Sequence, residues 1–470
     1  MSRRPQLTEW KGELTARFPD LPVSVVFVLA LYSFGMICAH GSGLTTVAFL
    51  LSSLFTCSYN AVRKRLKEFY QEASAKSGSH QGIKRQDFDV TTCFPPLLGW
   101  ILTLWSGKML PLAIDVTNLG DRFHVLCISV VVRGIGIPVA WKVLPAGEKI
   151  AWNPHWEALL TVLEPAVPEG WLVIVLSDRG LESGDLFEFI TGLGWHPLMR
   201  IKKGSQFHPK GWGKYYPLPR LVSKVGTSFQ AEGFMYPSKK MDCTLLARWD
   251  DGYEEPWFVL TDLPPESADA IWYGLRSWIE QGFKIIKGGM WDWQKTRMED
   301  TGRVERLWLV MAVATMWVVA VGAEDEVREQ NEAQQKRLER ELNETMEQAR
   351  ERKERERKRR EKQEEEQRQR QERRQTQEQA KEKARAKKAE AKVEVVPSPN
   401  GKPKGKMARK KGIQSRIHRV SRRGMAVWTT WWDGGKNRIP KHLYPEPWPT
   451  STHSRSTITE EEFLSRETYP

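Results

Sequence analysis

Residues Met109 to Thr117 read MLPLAIDVT, and Trp171 to Gly180 read WLVIVLSDRG. Each opens as a short apolar run and reaches an aspartate, Asp115 in the first and Asp178 in the second. Runs of this length, rich in β-branched side chains and bounded by turn residues, are the pattern of buried strands. Between them lie Arg122 to Val132 (RFHVLCISVVV) and Ile137 to Val143 (IPVAWKV), with Arg133-Gly134-Ile135-Gly136 as the hairpin turn. A helical segment at 154–164 precedes the second aspartate run, and a helix near 184–193 and a strand from His196 to Ile201 follow it.

Three strands in a meander, then alternating helix and strand, predict an α/β domain with the order of an RNase H-like mixed sheet. Residues 204–256 break the pattern with turn residues and short aromatic pieces, which predict a β-rich insertion; Trp257 to Thr261 (WFVLT) resumes a buried strand. Pro265 to Lys287 reads as helical, Gly288-Gly289 stops it, and an apolar helix follows at 302–321. Residues 1–100 look helical, with two apolar runs and then a basic helix, Tyr59 to Ala73. The expected divisions are thus a helical N-terminal domain (1–100), a core in two parts (101–203 and 257–322) around the insertion (204–256), a charged arm (323–395) and a tail (396–470).

The 470-residue chain has 72 Lys+Arg and 58 Asp+Glu, a net charge of +14. Local counting divides this unevenly. Residues 396–425 carry 10 basic side chains and no acidic one, whereas residues 1–323 are nearly balanced. A concentrated basic run most simply implies a polyanion, because each neutralised phosphate releases counterions; a solvated tail is the bland alternative. The charges of the basic helix, Arg63, Lys64, Arg65 and Lys67, either hold DNA ends or face water. From 324 to 395 there are 23 basic and 21 acidic residues and almost no large aliphatic ones after Met346. Without sustained a and d positions this segment has no coiled-coil seam, and it reads as a single helix held by i,i+4 charge pairs or as disorder.

Five cysteines without metal-ligand spacing argue against a disulfide framework and point to a reduced, cytoplasmic setting. Val23 to Ala39 and Leu307 to Gly322 lack charges, but each falls just short of the ~20 residues that cross a bilayer. Buried core helices, with no membrane partner, are the expectation.

Asp115 and Asp178 sit at the carboxyl ends of expected strands, where open α/β sheets bind ligands. Glu280 lies on the expected helix in the pattern Tyr273-x2-Arg276-x3-Glu280-x6-Lys287. With Tyr273 as zero, ~100° per residue puts the other three at about 300°, 340° and 320°, on one helical face. Three converging carboxylates repel one another unless divalent cations lie between them. Hard oxygen donors suit Mg²⁺ or Mn²⁺, and a pair of ions would serve hydrolysis or transfer at a phosphodiester.

Here the sequence resembles the DDE transposases of the bacterial insertion-sequence class marked by a YREK signature. The resemblance rests on Asp115 in LAIDVTN, Asp178 in LSDRG, the Tyr273, Arg276, Glu280 and Lys287 set, Trp257-x3-Thr261, and Gln294 to Arg306. It covers about residues 10–322. It implies an RNase H-like core interrupted by a β insertion, metal ions on Asp115, Asp178 and Glu280, and phosphates gripped by Tyr273, Arg276 and Lys287. It further implies that Trp257 stacks on a base flipped from the DNA terminus. The expected activity is cut-and-paste transposition of double-stranded DNA by a nucleoid-associated homodimer; a decayed or domesticated DNA-bridging relative is the alternative. Leu181 departs from the family pattern, in which an aromatic often follows DRG, and Gly274 and Gly282 are poor helix formers.

Overall fold

The structure is a computed structural model that describes residues 5–77, 88–383, 420–427, 439–450 and 459–467. Two compact units divide the chain: Met1–Glu326 with Ile413–Pro470, and Val327–Gly412.

The first unit is built on a ten-stranded mixed sheet. Its opening meander is β1 (Met109–Leu119), β2 (Phe123–Val132) and β3 (Ile135–Pro145), all antiparallel. The β2–β3 turn is tighter than the four residues expected. Only Arg133 and Gly134 form it, with φ of 53° and 81°. Two consecutive positive φ angles match the right-handed twist of the flanking strands, so Ile135 and Gly136 are free to join β3.

Helix α1 of this core (Asn153–Leu163) leads into β4 (Leu172–Ser177), which pairs parallel with β1; α2 (Gly184–Gly192) then leads to β5 (His196–Arg200), parallel to β4. Helical crossovers are what parallel neighbours require. The continuous apolar character of β4 follows, since a central strand is covered on both faces.

Residues 204–256 contribute four strands that extend the same sheet. Strands β6 (Gln206–Pro209), β7 (Tyr216–Pro217), β8 (Ser228–Met235) and β9 (Met241–Arg248) attach through β10 (Trp257–Thr261), giving the order β3-β2-β1-β4-β5-β10-β9-β8-β6-β7.

Residues 265–287 do not form one α-helix. A 3-10 segment (Ala270–Arg276), an α-helix α3 (Ser277–Lys284) and a π turn (Ile285–Gly289) follow one another. The α-helical part lies close against β3. A Cβ on Gly282 would lie 2.3 Å from the Gly136 carbonyl oxygen of β3, and one on Gly136 would lie 2.8 Å from the Ile279 Cα. Gly282 therefore costs helix propensity but permits α3 to lie directly on the sheet.

The N-terminal helices share this core. Val23–Ala39 and Leu44–Phe55 meet at a 96° bend. A long helix, α4 (Thr301–Lys383), carries the second apolar run, whose window is 94% buried. Trp10 stacks on Trp317 with centroids 3.6 Å apart, and Trp293 and Trp308 meet edge to face at 5.2 Å. Two of the buried indoles have partners: Trp10 donates to Ser33 Oγ at 3.0 Å and Trp291 to Thr315 Oγ1 at 2.8 Å, whereas the Trp293 and Trp308 indole nitrogens are buried without one. Truncating one such buried Trp to Ala would cost about 3–5 kcal/mol.

In the second unit, α4 continues as a charged helix. Ion pairs at i,i+4 line it, including Arg337–Glu341, Arg352–Glu356 and Lys358–Glu354, while Leu338, Leu342 and Met346 are exposed. Of the two alternatives the sequence allowed, helix is the one the described residues take through Lys383.

The described parts of the tail pack on the first unit. Residues 420–427 are helical, and Gly424 lies so close to α4 that an added Cβ would sit 2.0 Å from the Val318 carbonyl oxygen. Leu443 is fully buried and forms a parallel bridge with Trp105, its amide donating to the Leu104 carbonyl at 2.6 Å. Phe463 packs against Trp212 and Tyr216, and Tyr216 donates to Glu460 Oε1 at 2.5 Å.

Candidate active site

Asp115 lies within β1, one residue past the last pair that this strand makes with β4. Ile114 is opposite Ser177, so Asp115 and Asp178 occupy neighbouring positions on adjacent parallel strands. Asp178 leaves β4 directly and caps the 3-10 turn Arg179–Leu181, with its Oδ1 accepting from the Arg179 amide at 2.7 Å. Glu280 comes from the first turn of α3, which the Gly282–Gly136 contact presses against the sheet.

The three carboxylates converge on one guanidinium. Arg276 Nη2 is 2.8 Å from Asp115 Oδ2 and 3.5 Å from Asp178 Oδ2, and Nη1 is 2.5 Å from Glu280 Oε1. Tyr273, on the preceding 3-10 segment, donates its hydroxyl to Asp178 Oδ1 at 3.1 Å. Tyr273, Arg276 and Glu280 thus meet as one group although no continuous α-helix carries them. In this structure the phenol and the guanidinium, which the family resemblance assigned to phosphates, are engaged by carboxylates.

Lys287 is half-buried on the π turn. Burial lowers its pKa, opposed by the negative charge of Asp115. Trp257 opens β10 half-buried rather than in the core, edge-on to Tyr273 at 5.3 Å and to Tyr253 at 4.9 Å.

The electrostatics follow the burial. Desolvation raises the Asp115 pKa despite the neighbouring Arg276, and Asp178 and Glu280 push it the same way. Burial also raises the Tyr273 pKa, and the Asp178 charge adds to that, so the phenol stays protonated and remains a donor. Burial opposes the charge on Arg276, but Asp115, Tyr273, Asp178 and Glu280 outweigh it and hold its pKa above the ordinary value. Arg276 Nε is buried with no hydrogen-bond partner. An orphaned donor of this kind costs about 1–3 kcal/mol, so the guanidinium is not fully satisfied where it lies.

The group opens into a cavity of about 900 Å³ lined by Asp178, Glu280, Trp257 and Tyr273, together with side chains the sequence had not singled out. Arg179 and Arg200 line it, each donating to Glu255 Oε1 at 2.7 Å. Arg133, from the tight turn, donates through Nε to the Tyr444 carbonyl at 2.7 Å and lies 3.5 Å from Glu326. Glu446 and Pro449 of the tail complete the wall, and the Trp272 indole donates to the Pro449 carbonyl at 3.1 Å. No signal short of the fold would have placed residues 439–450 here, because they meet the site only through long-range packing. The basic segment 396–425 is described only from residue 420, where Arg423 lies 3.4 Å from Asp325; the tryptophans that follow it in the sequence, Trp428, Trp431 and Trp432, expected to join it in salt-sensitive DNA binding, lie outside the described residues.

Whether this group suits a divalent cation can be tested on its donors. Three carboxylates are the hard oxygen ligands that Mg²⁺ or Mn²⁺ takes, and the unsatisfied Arg276 Nε leaves the guanidinium open to re-seating. As placed, the charge of Arg276 fills the centre, and among the described residues no three His, Cys, Asp or Glu side chains are arranged to hold a metal ion. The donor set fits in kind, with Arg276 as the counter-ion that a cation would replace.

Residues 120–317 match the family model described as the transposase DDE domain, a span that includes Asp178, Trp257, Tyr273, Arg276, Glu280 and Lys287 and begins just after Asp115. The match supports a DDE transposase domain over those residues. No curated protein matches the chain. Among solved structures, a piggyBac transposase synaptic complex with hairpin DNA is similar at 11% identity and a TM-score of 0.29, over 67% of this chain and 78% of that one. A likeness that loose bears on neither the site nor the fold.

Proposed function

We propose that the chain is a cut-and-paste DNA transposase with Asp115, Asp178 and Glu280 as its catalytic carboxylates. The observation that carries this is their convergence on Arg276, from two adjacent parallel strands and a helix laid on the same sheet. The RNase H-like reading of the core is supported by the order β3-β2-β1-β4-β5, with the first three strands antiparallel and the next two parallel. The transposase DDE family match over residues 120–317 points the same way.

In this reading Asp115, Asp178 and Glu280 hold divalent cations, Mg²⁺ or Mn²⁺, which when bound neutralise charge on the attacking and leaving oxygens of an in-line displacement. Water attacks the phosphorus at the transposon end, the P–O3′ bond breaks, and the 3′-oxygen leaves as a hydroxyl. That 3′-OH then attacks a phosphodiester of the opposite strand or of the target, forming a new P–O bond as the P–O3′ bond of the attacked strand breaks and its 3′-oxygen leaves with the proton. Tyr273 holds Asp178 in place through its hydroxyl. Arg276, relieved of its carboxylates, turns its fixed charge to the phosphate, as a guanidinium fork does well. Lys287 adds charge from the Asp115 side, and Trp257 offers its half-exposed face to an extruded base. The proposed setting is the bacterial cytoplasm, with two copies of the chain pairing two DNA ends. Cleavage of DNA carrying the element's own ends, in Mg²⁺ or Mn²⁺, tests the reading; an Asp178→Ala variant that cleaves as well as the wild type would sink it.

A further inference from the structure

We propose that Arg179 and Arg200 form a phosphate clamp at the rim of the carboxylate cavity, and that Glu255 occupies it as a resident anion until a phosphodiester displaces it. The inference rests on the reading of the chain as a DNA transposase. Three separate elements build the clamp. Arg179 lies on the turn that follows Asp178, Arg200 ends β5, and Glu255 belongs to the loop between β9 and β10, two residues before Trp257.

Both guanidinium groups donate to the same oxygen, Glu255 Oε1, each at 2.7 Å. Two planar donors converging on one anionic oxygen is the arrangement that also receives a non-bridging phosphate oxygen. The charges do not cancel, since two cations share one carboxylate and leave one positive charge over. A phosphodiester carries one negative charge, so replacing Glu255 keeps the balance while freeing the acidic loop to swing out.

Mobility is built in unequally. Arg200 is fixed, with its side chain 16% exposed and its guanidinium 5.7 Å from the centre of the Tyr273 ring. Arg179 is 52% exposed and Glu255 33% exposed, so the partners that must rearrange are the ones that reach solvent. The loop that carries Glu255 contains Gly252 at φ 86° and the half-exposed Tyr253. A phosphate held here would be one residue along the chain from Asp178 and beside Trp257, where a strand entering the site would pass.

The test is fluorescence anisotropy with a short labelled duplex over a range of salt, on the full chain and on Glu255→Gln, Arg179→Gln and the double variant. Glu255→Gln removes the charge and keeps the acceptor oxygen. It should bind about 3- to 10-fold more tightly at low salt, and the double variant should lose that gain. Arg179→Gln should weaken binding and flatten the log–log salt slope by about one, as loss of one phosphate contact requires. Arg179 is half exposed, so its removal leaves the fold intact and the test survives if Glu255→Gln is unstable. Wild-type affinity and slope in both single variants would overturn the clamp while leaving the DNA reading in place. Absence of binding by every protein at low salt would overturn both.

Discussion

Arg276 Nη2 lies 2.8 Å from Asp115 Oδ2, and through its other contacts the same guanidinium serves Asp178 and Glu280. One fixed cation thereby holds together three carboxylates that would otherwise repel. Removing it should be costly, because breaking a largely buried pair leaves uncompensated charge and typically costs about 3–5 kcal/mol. Arg276→Ala is therefore expected to melt well below the wild type in the absence of metal. Millimolar Mg²⁺ or Mn²⁺ should raise its melting temperature more than that of the wild type, since the cation takes over the vacated role. Thermal melts with and without the ion decide this; equal metal responses would contradict it.

Asp115 carries the opposite sign of stability effect from an ordinary paired carboxylate. Burial raises its folded pKa above the unfolded value, so its protonated form is favoured by folding. The stability this contributes is fully present below the unfolded pKa, near ~3.9, and is lost as pH rises through the folded pKa. Asp115→Asn should consequently be more stable than the wild type at neutral pH, with the gain vanishing at acid pH, while losing activity. Denaturant midpoints measured across pH would show it.

Glu72 provides the contrasting case. Its hydrogen bonds from Arg303 hold its pKa down to about 2, below the ordinary carboxylate range. That contribution is present above the unfolded carboxylate pKa and is lost as pH falls toward 2. Glu72→Gln should flatten the acid limb of the stability profile between those values, and acid titration of melting temperature measures the difference.

At Gly282 the structure explains what the sequence presented as a weakness. Glycine in a helix loses up to ~1 kcal/mol of propensity, yet an alanine Cβ would sit 2.3 Å from the Gly136 carbonyl oxygen. Gly282→Ala should destabilise the fold by about 1–3 kcal/mol through overpacking and displace Glu280 from the cluster. Cleavage would fall more than stability.

Much of the core was legible because its strands are short apolar runs rich in β-branched side chains and bounded by turn residues. The runs ending at Asp115 and Asp178 became β1 and β4, and their parallel register followed from the helix between β3 and β4. The YREK spacing was legible as a constellation but not as a geometry. An ideal helix put Lys287 on the same face as Glu280, whereas Lys287 lies on a π turn beyond α3, where the charge of Asp115 acts on it. What local sequence could not show was long-range packing. Nothing around Leu443 or Pro449 announces that they dock on α-helical and 3-10 segments some hundreds of residues earlier. Nor does Glu255, in an acidic loop, announce that it pairs with Arg179 and Arg200.

The tail docking predicts its own loss. Leu443 is fully buried at its bridge with Trp105. Leu443→Asp would bury a charge without a partner there and should destabilise the chain or release residues 439–450, which limited proteolysis would detect as new cleavage.

The central claim is that Asp115, Asp178 and Glu280 cut DNA. Its most direct measurement is strand cleavage of duplexes bearing the inverted repeats that flank the gene, with Mg²⁺ or Mn²⁺, comparing wild type with Asp178→Ala. Site-specific nicking at the repeat boundary by the wild type, abolished in the variant, is the predicted result. Tight end binding with no cleavage by the wild type, or equal cleavage by Asp178→Ala, would contradict it.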